Sequence, residues 1–292
     1  MNNLNQYFKK FLEKKSSRHH YIPQFLINGF TNENGLLFIY DKQADKILAK
    51  QRPPKSIFFE TDRNTVEVKD SIKSSIIEDY LYAEIDNKTS KVIKYFQTEK
   101  LSEIDFKIED TATLLFFLIS IFWRIPKTDY ASEDLMERSI ITAEGIDPEI
   151  LRNDPAYKKL SRAGLFRHHI DEMINFGMKG KKWNNLHQNE NPIYVIGDFP
   201  FLSRKKTNEF RKFNDTDILF AVSSTRIYSS TKESLNNFAQ INSYSYNAAI
   251  IHQSLKYIAC GDLNVLEQSI KFYKELTRVG LIYSNERVFK TK

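Results

Sequence analysis

Only one cysteine, Cys260, occurs in 292 residues, and this excludes a disulfide framework and a cysteine-rich zinc site. Nine glycines leave little for phosphate-cradling loops. The chain has no Gly-x-x-x-x-Gly-Lys-Ser/Thr, no Gly-x-Gly-x-x-Gly after a strand, no His-Glu-x-x-His and no Gly-x-Ser-x-Gly. These absences argue against the common nucleotide enzymes, zinc peptidases and esterases. The longest apolar run, Leu114 to Trp123, is too short to span a bilayer, and the N-terminus carries no apolar signal region. The expectation is a cytoplasmic protein with no membrane partner.

What is present suffices for a packed core. Hydrophobic residues make up 41% of the chain and aromatics 13%, a composition that supports folding. The formal net charge is +6, which permits an acidic partner such as nucleic acid without requiring one. Lysines gather locally at Lys9, Lys10, Lys14, Lys15 and Lys179 to Lys182. Cys260, in Tyr257-Ile258-Ala259-Cys260-Gly261, reads as a core thiol at the apolar end of a helix.

The densest chemistry lies in Arg18-His19-His20-Tyr21-Ile22-Pro23-Gln24-Phe25-Leu26-Ile27-Asn28-Gly29-Phe30. Ile22 precedes a proline and is driven to an extended backbone, whereas Pro23 suits a first helical position. The segment therefore reads as an extended arm feeding one or two helical turns. Side chains alternate along an extended arm, so His19 and His20 face opposite ways and one of them lines any given pocket. Beside a helix N-terminus such an imidazole is a neutral proton acceptor at pH 7. The plainer alternative is a satisfied core histidine with Tyr21 as a packing aromatic.

That block, with Leu36-Leu37-Phe38-Ile39-Tyr40-Asp41-Lys42 after it, resembles the N-terminal signature of the bacterial domain-of-unknown-function 4238 family. The family opens with His-His-Tyr-hydrophobic-Pro and runs into a strand ending in Tyr-Asp. Two later stretches are also similar to it: Arg124-Ile125-Pro126 at the end of an apolar helix, and Trp183 followed by Gly197-Asp198-Phe199-Pro200 after a strand. Gly197 and Phe199 depart from the family's Ser and Asn there, while Asp198 keeps its place. The resemblance adds Tyr21, Gln24, Trp183 and Asn247 to the candidate binding residues.

Along the chain, Leu4 to Lys15 reads as an amphipathic helix. Short strands are expected at Leu36–Tyr40, Lys46–Ala49, Ile57–Phe59 and Thr65–Val68, with Thr61-Asp62-Arg63-Asn64 as a turn. From Ser71 the period becomes helical through Phe96. Asp105 to Ile125, apolar on every side, is the expected central core helix, ended by Arg124 and Pro126. Met136–Thr142 and Ala156–Phe176 also read as helices, the second carrying Arg167-His168-His169, a coincidental echo of the N-terminal arm. Strands follow at Tyr194–Ile196, Ile218–Val222 and Arg226–Tyr228, then closing helices at Asn242–Cys260 and Leu263–Val279, with Asn247 as a capping residue or, alternatively, a residue reaching the pocket of Asp198.

The expected fold is α+β, a mostly helical body with short antiparallel strands from the N- and C-terminal thirds. The expected arrangement is one domain of five parts, 1–17, 18–70, 71–178, 179–230 and 231–292, with Leu36–Tyr40 and Tyr194–Ile196 in one sheet or in touching sheets.

Two functions fit. In the first, an intracellular nuclease cleaves phosphodiesters with His19 or His20 as base or acid. Arg18 and Arg124 then stabilise phosphoryl charge, and Asp198 orients the histidine or holds a divalent metal. In the second, a non-enzymatic module of bacterial defence or regulation binds nucleic acid or protein, and the same residues form a structural network. On the first reading a histidine of the arm, Arg124 and Asp198 converge in one concavity.

Overall fold

The computed structural model describes residues 17–68, 72–138, 147–176, 183–204, 216–231, 243–281 and Val288. The expected helix at Leu4–Lys15 and the lysines at 179–182 lie outside the described residues, as do the side chains of Arg167, His168 and His169.

In chain order, the arm forms β1 (Arg18–His20), followed by a single helical turn α1 (Gln24–Ile27) and a 3-10 turn to Phe30. Four further strands are β2 (Phe38–Asp41), β3 (Lys46–Ile47), β4 (Phe59–Thr61) and β5 (Val66–Val68). β6 (Ile72–Ser74) pairs with β5 as a small antiparallel hairpin. A π-helical turn, Ile77–Tyr82, leads into α2 (Ala83–Thr98), and α3 (Ile108–Arg124) follows. Next come α4 (Asp129–Arg138), α5 (Pro148–Asn153) and α6 (Pro155–Phe176). The remainder is β7 (Trp183–Gln188), β8 (Ile196–Gly197), β9 (Phe201–Ser203), β10 (Ile218–Ala221), β11 (Arg226–Thr231), α7 (Ser243–Gln253), β12 (Tyr257–Cys260) and α8 (Leu263–Arg278). The fold class is α+β, as expected.

α3 is the core helix. Eleven of its residues are buried, from Thr111 through Arg124, because the sequence offers no polar face after Thr113. Pro126 ends it by forcing Ile125 to an extended backbone. It is too short to cross a membrane, and among the described residues no helix is long and apolar enough to do so. Phe117 packs against Phe25 on one side and Phe220 on the other, which joins the arm to the later strands.

Two four-stranded antiparallel sheets have the orders β3-β2-β12-β8 and β7-β11-β10-β9. In the first, β12 pairs with β2 through Ile258↔Tyr40 and with β8 through Ala259↔Ile196. The expected meeting of the Leu36–Tyr40 region with Ile196 is therefore found, with a third strand between them. That strand corrects the closing-helix expectation: the helix over Asn242–Cys260 stops at Gln253, and Tyr257–Cys260 is the middle of a sheet. A central strand buried on both faces reads as a plain apolar run, and periodicity does not separate it from a buried helix. Cys260 is buried in that strand, and burial pushes its thiol up to about 12, the inert core thiol expected.

β5 falls within the strand expected at Thr65–Val68, whereas β6 and β7 escape sequence reading. Trp183-Asn184-Asn185-Leu186-His187-Gln188 is asparagine-rich, yet it pairs over six residues with β11. α4 begins at Asp129, ahead of the expected Met136.

Gly261 follows β12 where the chain turns beneath the N-terminal segment. A Cβ there would lie 2.8 Å from the Phe30 carbonyl oxygen and 2.5 Å from the Thr31 carbonyl carbon, both backbone atoms that cannot rotate away. Gly261→Ala is expected to destabilise the protein by about 1–3 kcal/mol, read from urea unfolding. An unchanged midpoint would mean that this junction is looser than described.

Candidate functional site

β1 lies antiparallel to β4, with Arg18 opposite Thr61, His19 opposite Glu60 and His20 opposite Phe59. The expected alternation holds. Arg18 and His20 lie on the Phe59 face: the guanidinium carbon is 5.2 Å and the His20 ring 5.6 Å from that ring's centre. His19 turns the other way and is 1% exposed.

His19 meets the turn after β4. Asp62 adopts a left-handed backbone (φ 56°), which aspartate tolerates, and this turns Arg63 and Asn64 inward. The Asn64 backbone N–H donates to His19 Nδ1 at 2.9 Å, so a neutral His19 carries its proton on Nε2. Asn64 Nδ2 donates to Glu78, whose carboxylate is 3.9 Å from His19 Nδ1. Asn64 Oδ1 accepts from Arg162 Nη2 at 2.5 Å.

From there a chain of charges runs to the end of α3. Arg162 Nη1 reaches Asp129 at 3.1 Å, and Arg63 grips the same carboxylate at 2.6 and 3.1 Å. Arg63 also holds Glu60 at 2.7 Å and donates from Nε to the Arg124 carbonyl at 2.6 Å. Burial works against the Arg63 charge, but Asp129 and Glu60 raise its pKa overall. The Arg124 side chain has Nη1 on both Asp86 oxygens at 2.9 and 3.0 Å and its guanidinium 3.9 Å above the Tyr82 ring. Burial pushes the Asp86 carboxyl up, and Arg124 pulls it partly back. Burial also raises the pKa of Tyr82. The buried atoms Arg124 Nε, Arg162 Nε and the Tyr82 hydroxyl have no hydrogen-bond partner in the structure.

Asp198 makes its hydrogen bonds outside this network. Its carboxylate accepts the backbone N–H groups of Leu255, Lys256 and Tyr257 at 2.8, 2.7 and 3.0 Å. It thereby pins the turn between α7 and β12 to the end of β8. Burial raises its pKa while these amides lower it. Gly197 is required beside it, because a Cβ there would strike the Ser254 hydroxyl and come 2.9 Å from Ile250. Tyr21 is buried, and its phenol is pushed up by burial first and then by the Asp198 and Glu60 carboxylates, so it lies within electrostatic reach of both groups.

Other expectations are redirected. Asn247 does not cap a helix; it is buried inside α7, accepting from the Val195 N–H at 3.2 Å and donating to the Ile193 carbonyl and Ser269 hydroxyl at 2.8 Å each. His20 is depressed below the usual histidine pKa, as expected, but burial is the chief cause rather than a helix dipole, and the Pro54 and Lys55 backbone pulls it partly back. Its buried Nε2 has no hydrogen-bond partner. Gln24 is exposed at the start of α1. Trp183 opens β7 opposite Thr231, with its side chain outside the described residues. Among the described residues no group of three or more His, Cys, Asp or Glu side chains could hold a metal ion.

The residues that sequence reading missed are Arg63, Asn64, Glu78, Asp86, Asp129 and Arg162. A signal existed for two. Asp86 falls in the helical register of Tyr82, Thr89 and Ile93, all buried, and Arg162 stands one turn before buried Phe166. A charge in the apolar register of a helix implies a buried partner.

The fold and this charge network define an α+β protein knotted by arginine–carboxylate pairs. The model of the family described as "Protein of unknown function (DUF4238)" matches residues 18–145, so this segment of the chain is similar to that family. The match covers the arm, the Asp62–Asn64 turn and the end of α3, and stops before Trp183 and Asp198. No curated protein and no solved structure matches the chain.

Two outcomes follow from this geometry. Arg124→Met strands the mostly buried Asp86 and is expected to cost about 3 kcal/mol in urea unfolding, with most of it recovered in the Arg124→Met/Asp86→Leu double variant. Non-recovery would show that Arg124 acts elsewhere. His20 is depressed from 6.5 in the folded state, so the fold favours its neutral form; that contribution is complete above the unfolded value and is lost as pH falls below it. Melting temperature is therefore expected to fall from about pH 7.5 to about pH 5.5, and less so in His20→Gln. Equal slopes for the two proteins would contradict it.

Proposed function

We propose that this protein is a non-enzymatic, intracellular nucleic-acid-binding module in which the His, Arg and Asp residues of the arm, the α3 end and the β8 turn are structural. One observation carries the reading: three of the groups a phosphodiesterase would use are already engaged. His19 Nδ1 holds the Asn64 amide, Arg124 is paired with Asp86, and the Asp198 carboxylate accepts three backbone amides. Charges paired inside a protein set geometry, whereas a catalytic base must be within reach of a substrate proton. The net charge of +6 supplies the attraction to phosphate.

A second reading, a nuclease using His20 as base beside Arg18, has one feature in its favour. The His20 imidazole has a depressed pKa, and its Nε2 lacks a partner. One experiment separates the two. Labelled RNA and DNA are incubated with the purified protein, with and without Mg²⁺ or Mn²⁺, while salt is raised from about 50 to about 200 mM. The module reading expects binding that weakens steeply with salt and leaves the strands intact. Cleavage abolished by His20→Ala, with the melting temperature held, would overturn it.

A further inference from the structure

On the face formed by the end of α7, the start of β12 and the side of α8, lysines alternate with tyrosine rings. We propose that Lys42, Lys127 and Lys256, together with the rings of Tyr257 and Tyr273, form a track for a single strand of nucleic acid, its phosphates on the ammoniums and its bases on the rings. This deepens the binding reading above and rests on it.

The lysines are positioned rather than loose. Lys42 Nζ donates to the His252 and Ser254 carbonyls at 2.9 and 2.8 Å, and Lys127 Nζ donates to the Gln253 carbonyl. The final carbonyls of α7, at the negative end of its dipole, thus hold two ammoniums in place. Lys42 spends two of its three N–H donors in this way, which leaves one for a phosphate oxygen. The Lys42 backbone N–H bonds the Lys256 carbonyl at 2.8 Å, so the third lysine is adjacent. Burial first, then mutual repulsion, lowers the Lys42 pKa, and burial lowers that of Lys127. An anion lying against this pair relieves that repulsion.

Asp198 attracts the Lys42 and Lys127 charges and Asp41 that of Lys256, but both carboxylates are hydrogen-bonded by backbone amides. Asp198 is bound by its three amides, and Asp41 accepts from the Gln43 and Ala44 N–H groups. Asp45 is taken by Tyr40 and Lys274. The rings stand beside the charges, with Lys256 Nζ 4.8 Å from the Tyr257 centroid and Lys42 Nζ 5.6 Å from that of Tyr273. The His252 ring lies 6.4 Å from Tyr273. Both tyrosines are half-buried, so each presents part of its ring. Base faces are open to stacking in a single strand and hidden in a duplex, which selects the former.

The test is fluorescence anisotropy with a labelled single-stranded oligonucleotide and with the duplex of the same sequence, over a salt series. The single strand is expected to bind more tightly than the duplex. Lys256→Gln should lower the slope of log K against log salt by about one contact. Tyr273→Leu should weaken single-strand binding about tenfold at an unchanged salt slope. Leu255→Lys, at a half-exposed position between the lysines, should strengthen binding, and it guards against a variant that merely fails to fold. If the oligonucleotide binds but none of the three variants alters it, the track is overturned and the binding reading stands. Equal affinity for the duplex with Tyr273→Leu unaffected also overturns the track. If neither nucleic acid binds, the binding reading falls and the track falls with it.

Discussion

The guanidinium of Arg63 is the joint on which the N-terminal half depends. One planar group bonds Glu60 on the strand before it, Asp129 at the start of α4 and the Arg124 carbonyl at the end of α3. A lysine could not do this, because its ammonium lacks the fixed fork that meets a carboxylate with two nitrogens while a third serves a carbonyl. The joint also solves a local problem. The last carbonyls of a helix have no intrahelical partner, and α3 ends deep in the core where water does not reach. Arg63 satisfies the Arg124 carbonyl, and the Thr128 hydroxyl bonds those of Phe122 and Ile125.

From this joint the arm acquires its place. Arg162 shares Asp129 with Arg63 and fixes Asn64, and Asn64 fixes His19. The backbone next to the arm is itself strained. Phe58 has a left-handed backbone (φ 56°), uncommon for an aromatic residue, and its carbonyl takes the Tyr21 N–H at 3.0 Å. Buried ion pairs add little net stability compared with apolar packing, since desolvation offsets most of the attraction. Their effect here is to hold one geometry, because each partner left alone would be a buried charge. The Asp198 turn repeats the same logic on the other side of Tyr21, with three amides in place of arginines.

Much of this was legible in the residues. The apolar stretch ending at Arg124 and Pro126 named the core helix, and the extended arm named the opposite faces of His19 and His20. Asp198 was readable as a catalytic group or as part of a structural network, and its three amides come from residues more than fifty positions away, which local pattern does not reveal. Tyr257–Cys260 looked helical because a short apolar run carries no period of its own. The arginine knot was hidden for a related reason. Arg63 sat in a turn, where charge is ordinary, and Asp129 and Arg162 gain their meaning only when α4 and α6 pack together. The misplacement of Asn247 has the same origin: an asparagine near a helix start looks like a cap until Ile193 and Val195 are brought beside it.

The central claim is that these polar residues lock the fold. Native-state hydrogen exchange of four amides tests it most directly: Asn64, which donates to His19, and Leu255, Lys256 and Tyr257, which donate to Asp198. A lock requires these amides to exchange only through global unfolding, at the rate of the slowest amides in α3 and with the same dependence on denaturant. Exchange orders of magnitude faster, by local opening that leaves α3 protected, would contradict it and mark the arm and the Asp198 turn as moving parts.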